Sequence, residues 1–144
     1  MPLHIIKLCV GVETVEELDQ WIREHRLGLE LAGLPPEQTH VTRMFPKRAD
    51  EVLDGGSLYW VIKGFVQVRQ RILDLRPETG EDGIERCAIL LDPDLVRTEM
   101  QPRRPFQGWR YLRDAEAPRD QRTIAGGDDI HPEMRRALAE LALL

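Results

Sequence analysis

Catalytic signatures are what this sequence most lacks. Its two cysteines, Cys9 and Cys87, stand in no C-x-x-C frame, and each sits inside an apolar run where a free thiol behaves as a small buried hydrophobe. Such a pair suits a reducing compartment. The four histidines, His4, His25, His40 and His131, show no ligand spacing such as H-x-x-x-H, which argues against zinc. There is no G-x-S-x-G, and Asp54-Gly55-Gly56-Ser57 lacks the Gly-Lys-Ser/Thr of a phosphate-binding loop, leaving it the role of a turn that ends a helix. No cofactor is implied. The opening Met1–Val10, interrupted by His4 and Lys7, is too short and too polar for a signal peptide or a membrane span, so a cytoplasmic location is expected. Internal repeats and low-complexity tracts are absent.

What is there has the make-up of an ordinary globular protein. With 144 residues, 42% of them hydrophobic and 31% charged, the chain is long enough to bury one core without disulfides or metal, and residues 1–144 are expected to form a single domain. A net charge of −5 argues against a globally basic nucleic-acid binder, but the sum hides a segregation along the chain. Residues 11–39 carry two arginines against seven acids, whereas residues 95–113 carry five arginines against Glu99. A local basic patch can attract an anion despite acidic flanks.

Hydrophobic periodicity supplies the elements. Leu3 to Val10 reads as a buried strand. Thr14 and Glu17 have the spacing of a capping box, and Val15, Leu18, Ile22 and Leu29 give the following helix an apolar face, which Gly33, Pro35 and Pro36 bring to an end. A strand is expected at His40 to Phe45 and a short helix from Lys47 to Leu53, ended by Gly55 and Gly56. Leu58 to Lys63 is apolar on both faces, and Gly64 marks a bulge or tight bend. In the run Phe65 to Leu75, alternation places Val66, Val68 and Ile72 on one face and Gln67, Arg69 and Arg71 on the other. Gly80-Glu81-Asp82-Gly83 predicts a hairpin turn into a strand at Ile84 to Leu91, which Asp92-Pro93 breaks. An edge strand at Leu95 to Met100, extended chain from Gln101 to Phe106, and a short strand at Trp109 to Leu112 follow. Residues 114–130 read as loop. A last helix begins at Pro132, with Met134, Leu138 and Leu141 as an apolar stripe for docking on the sheet or on a second subunit. The fold class expected is α+β, a curved, mainly antiparallel sheet or small open β-barrel flanked by an N-terminal and a C-terminal helix.

Arg103-Arg104-Pro105-Phe106-Gln107-Gly108-Trp109-Arg110-Tyr111 interleaves cations with aromatic rings. Such a mixture neutralises phosphates and stacks on bases, each stacked base contributing roughly 1–3 kcal/mol. The alternative is that Trp109 and Tyr111 pack the core while the arginines pair with acids. Arg69 and Arg71 share a strand face, roughly 7 Å apart, where two guanidinium forks can grip neighbouring phosphate oxygens; the alternative is a solvated face crossed by salt bridges to acids such as Glu85. His40, Arg43, Lys47 and Arg48 form a second basic run. Asp92-Pro93-Asp94 has the D-x-D spacing of a carboxylate pair that holds a divalent cation, and also that of a simple Asp-Pro turn.

The opening Met1-Pro2-Leu3-His4-Ile5-Ile6-Lys7-Leu8-Cys9-Val10-Gly11, together with Pro46-Lys47-Arg48-Ala49-Asp50-Glu51, Tyr59-Trp60-Val61-Ile62-Lys63-Gly64 and Arg104-Pro105-Phe106-Gln107-Gly108-Trp109-Arg110-Tyr111-Leu112, resembles an uncharacterised alphaproteobacterial family of similar length. That resemblance implies a bacterial cytosolic protein and supplies no activity. A short helix, the Gly55-Gly56 turn, a strand at Tyr59 to Lys63 and a Gly-led strand through Phe65 to Leu75 look like the β-barrel core of PUA, ASCH and EVE domains, which implies RNA association or binding of modified bases. The chain departs from them in its Gly-Gly-Ser turn and its long N-terminal helix.

From these readings the expected function is a non-enzymatic module that binds an anionic ligand, RNA or a nucleotide. Arg69, Arg71, Arg103, Arg104 and Arg110 are the expected phosphate contacts, with Phe106 and Trp109 as stacking surfaces. A small enzyme acting on a nucleotide or phosphorylated substrate through Asp92 or Asp94, and a structural homodimer joined through the C-terminal helix, are the alternatives.

Overall fold

A computed structural model describes residues 2–121 of the chain. The helix expected from Pro132, with its Met134–Leu138–Leu141 stripe, lies outside the described residues, as does the expected loop beyond Gln121.

The sheet is organised by one long strand, β4 (Phe65–Thr79), which continues past Leu75 because its last residues pair in a hairpin. The first half of β4 pairs with β3 (Ser57–Ile62) on one side and β6 (Val96–Pro102) on the other; its second half pairs with β5 (Glu85–Leu91). The turn between β4 and β5 is the expected one, with Gly83 at φ 76 and its N–H donated to the Gly80 carbonyl at 2.9 Å. Together β5 and β6 form one return path antiparallel to β4, interrupted after Leu91. The expected edge strand is therefore paired along β4, and a bridge from Thr98 to Asp120 covers its other side.

At the interruption the chain turns on Asp92, whose Oδ1 accepts the Asp94 N–H at 2.9 Å. Gln70, fully buried, spans the gap this leaves in the ladder: its Nε2 donates to the Asp92 carbonyl at 2.9 Å and its Oε1 accepts the Trp60 indole N–H at 2.8 Å. A buried amide with both ends satisfied stabilises the break, whereas an apolar side chain would strand two polar groups.

Two bulges decide which residues of β4 face inward. One lies at Gln67, between Val66 opposite Val61 and Val68 opposite Trp60. The extra residue resets the alternation, so Val66 joins Tyr59, Val61, Ile6 and Leu112 in a smaller core, while Val68 joins Trp60, Ile62 and Ile5 in the main one. This corrects the expectation that Val66 and Val68 share a face. The second bulge, at Leu73 between Ile72 and Asp74, turns Leu73 outward and keeps Ile72 and Leu75 together.

β1 (Leu3–Leu8) runs parallel to β3 and antiparallel to β7 (Trp109–Arg113), while β2 (Gln38–Thr42) pairs with β5, slightly earlier than the expected His40–Phe45. The order is β2-β5-β4-β3-β1-β7 with β6 beside β4. Of the two expected architectures, this pairing describes an open, mostly antiparallel sheet.

The main core lies under α1 (Val15–Leu31), which buries Val15, Leu18 and Ile22, and α2 (Ala49–Leu53), which buries Val52. Each such aliphatic side chain contributes roughly 1.5–3 kcal/mol when fully buried. Thr14 caps α1 as its spacing predicts, its Oγ1 accepting the Glu17 N–H at 3.1 Å. Gly56 lies where α2, β1 and β3 meet: a Cβ there would stand 2.3 Å from the backbone oxygens of Leu3 and Val52. Among the described residues no helix is long and apolar enough to cross a membrane.

His40 of β2 meets the Trp60 ring edge-to-face at 5.2 Å, and its Nε2 is buried with no partner among the described residues. Burial, and secondarily the charge of Lys7, push its pKa down from 6.5 to about 4. A depressed histidine is neutral in the folded chain while the unfolded chain takes up a proton, so stability is full above pH 6.5 and declines as pH falls towards 4. Because the ring is only partly buried, the loss is expected to be about 2 kcal/mol. Urea titrations of the wild type and of His40→Leu over that range check this: the variant should lack that part of the decline.

Candidate anion-binding surface and its neighbouring pocket

The second face of the sheet carries the smaller core and is crossed twice by the chain. After β6, residues 103–108 pass from the β4 edge to β7; the Arg103 N–H is donated to the Gly64 carbonyl at 2.8 Å, and Phe106 packs on the smaller core beside Leu8. After β7, a 3-10 turn at Asp114–Glu116 and the segment up to Gln121 return to β6, where the Glu99 N–H reaches the Arg119 carbonyl and the Gln121 N–H reaches the Arg97 carbonyl. The Gln101 amide ties the two crossings together, donating to the Glu116 carbonyl and accepting twice from the Arg103 guanidinium, at 3.2 and 2.9 Å.

The first crossing carries two of the expected cations, Arg103 and Arg104, and leads into a third, Arg110, at the start of β7. Arg103 is held by the neutral Gln101, Arg104 is exposed, and the Arg110 guanidinium lies 5.0 Å from the centre of the Phe106 ring. Among the described residues none of the three is bonded to a carboxylate. The Glu116 carboxylate is bonded to Arg113 at 2.7 Å, which lowers its pKa, and the charge of Arg103 lowers it only as the least of the causes.

Four expected features fall elsewhere. Arg69 is half-buried and its fork closes on both oxygens of Asp120 at 2.8 Å, with a third bond to the Ser57 hydroxyl at 3.0 Å; this ion pair holds the Asp120 carboxyl below its usual range. Glu85, the acid suggested as a partner for these arginines, pairs instead with Thr79 across the hairpin. The Arg71 side chain is exposed and has no partner among the described residues, but Arg71 stands six positions along β4 from Phe65, roughly 20 Å from the start of the crossing. Trp109 lies on the opposite face from Arg110. It packs half-buried against the main core, meets Tyr111 at 4.9 Å, and donates its indole N–H to the Met44 carbonyl at 3.0 Å. Tyr111 accepts the Arg48 backbone N–H at 3.1 Å. These two rings lock the β2–α2 connection to the sheet, so Trp109 is a packing residue. Asp92 and Asp94 are joined in the turn at the β5–β6 break.

Beneath the second crossing lies a pocket of about 560 Å³ that no sequence motif announced. His4, buried on β1, accepts the Ser57 backbone N–H at Nδ1, which assigns the proton to Nε2; that nitrogen donates to Asp114 at 2.8 Å. Tyr59 meets the His4 ring edge-to-face at 5.0 Å, and burial raises its pKa against the opposing charge of Arg69. Arg69, Asp120 and the exposed Arg119 complete the polar wall. Neither thiol is a candidate nucleophile, since burial pushes both Cys9 and Cys87 up to about 11.

A family model described as Protein of unknown function (DUF1489) matches residues 5–144. No curated protein and no solved structure matches the chain.

Proposed function

The chain belongs to the DUF1489 family of proteins of unknown function, and on that premise we propose that it is a non-enzymatic, cytoplasmic binding module for an anionic ligand, RNA or a nucleotide, held by the crossing between β6 and β7. One observation carries this reading. Arg23, Arg48, Arg69, Arg76, Arg86, Arg97 and Arg113 are each paired with a carboxylate, whereas Arg103, Arg104 and Arg110, which fall within eight residues of chain, are bonded to none among the described residues. An arginine already closed on an acid gains little from a phosphate; a free one gains a charge-assisted, bidentate hydrogen bond.

Held by Gln101 through Nε and Nη2, Arg103 still has Nη1 donors for a phosphate oxygen. Arg110 over Phe106 combines a cation with a ring, the pairing on which a nucleobase stacks. Anisotropy titration of labelled single-stranded RNA, with nucleotides as competitors, tests the reading at low ionic strength. Saturable binding is expected, weakened roughly tenfold or more, about 1.4 kcal/mol, by the double change Arg103→Ala and Arg104→Ala. No saturation, or a double variant that binds like the wild type, would overturn it.

A further inference from the structure

The pocket under the second crossing is separate from the arginine-rich loop, and its free groups carry charges of both signs. We propose that it binds a small zwitterion, a molecule with a cationic amine at one end and a carboxylate at the other.

The hydrogen bonds already made in the pocket decide which groups remain for a ligand. Both oxygens of Asp120 are taken by Arg69, and both ring nitrogens of His4 are taken by Ser57 and Asp114. What is left among the described residues is the second oxygen of Asp114, a side chain 45% exposed. Arg119, exposed and without a side-chain partner among the described residues, lines the same pocket. The Tyr59 ring and the Ser57 hydroxyl line the pocket with them.

The ion pair of Arg69 with Asp120 cancels internally, and the His4 ring is held between the Ser57 N–H and Asp114. The pocket is thus lined by one carboxylate and one guanidinium that are not paired with each other among the described residues. A simple anion satisfies Arg119 but faces Asp114, and a simple amine meets the reverse. A molecule carrying both charges answers both groups and gains two charge-assisted contacts. Asp114 and Arg119 stand five positions apart on the segment that follows β7, so a ligand whose charges are separated by several bonds is the one to test. A volume of about 560 Å³ is within the range of small-molecule pockets.

Isothermal titration of the full chain with 6-aminohexanoate, hexanoate and hexylamine tests the proposal. The aminocarboxylate is expected to saturate below about 10 mM and to bind at least roughly tenfold more tightly than either single-charge analogue. Asp114→Asn, which keeps an acceptor for His4, and Arg119→Gln, an exposed change, should each remove most of that advantage while leaving the thermal midpoint close to that of the wild type. The proposal is overturned if no probe saturates, if hexanoate or hexylamine binds as well as the aminocarboxylate, or if both folded variants keep the preference. RNA binding by the β6–β7 crossing can fail without affecting this outcome, since Arg103, Arg104 and Arg110 are not among the groups lining the pocket.

Discussion

Replacing Gly56 with alanine is expected to cost about 3 kcal/mol or more and to leave little folded protein at physiological temperature. The new methyl carbon would stand 2.3 Å from the carbonyl oxygens of Leu3 and Val52, neither of which belongs to a flexible side chain. Leu3 begins β1 and Val52 sits in α2, so relief requires prying a strand or a helix away from β3. The Gly56 N–H to Val52 carbonyl bond and the Ile72 N–H to Gly56 carbonyl bond, at 2.9 and 3.0 Å, tie the same point to β4. Gly64→Ala is the informative control. Its φ of 81 disfavours alanine, but nothing lies within 4 Å of the added carbon, so a loss of only about 1–2 kcal/mol is expected from backbone strain. Denaturant unfolding of the two variants should separate crowding from strain; equal losses would contradict the close approach.

The second large effect is expected at Gln70. Gln70→Leu preserves approximate volume but leaves the Trp60 indole N–H and the Asp92 carbonyl without the partner each now has. At about 1–3 kcal/mol for each stranded group, a total near 3 kcal/mol is expected in urea titrations, together with earlier hydrogen exchange at the β5–β6 break. A loss below about 1 kcal/mol would mean that water reaches both groups and that the amide is not what spans the interruption.

The legible parts of the fold were those governed by nearest neighbours. The Thr14 cap, the Gly80–Gly83 turn and the Asp92 break depend on residues within a few positions of one another, where spacing and backbone preference carry the information. The bulges of β4 did not declare themselves, because a run with apolar residues on both faces satisfies either register. Val66 and Val68 are both fully buried, and only the pairing with β3 shows that they belong to different cores.

The same limit acted on the site. Arg69 finds Asp120 across 51 residues and His4 finds Asp114 across 110, separations at which composition says nothing about partners. Trp109 is a different case. Period two along a strand already puts it on the face opposite Arg110, so the mixture of rings and cations that looked like one surface divides between two. His4 carried a faint signal as one of two polar residues, with Lys7, in an otherwise apolar strand, but nothing local linked it to Ser57, Tyr59 or Arg119.

The salt dependence of RNA binding tests most directly whether the arginines of the β6–β7 crossing, bonded to no carboxylate among the described residues, carry the interaction. For the wild type, log K should fall linearly with log salt concentration, and the double change Arg103→Ala and Arg104→Ala should flatten the slope by about 1 to 2 on a log-log scale, one phosphate contact per lost cation. The double change Arg23→Ala and Arg76→Ala, at guanidiniums already closed on carboxylates, should leave the slope as it was. Equal slopes for all three proteins, or a flattening only when the paired arginines are removed, would contradict the account.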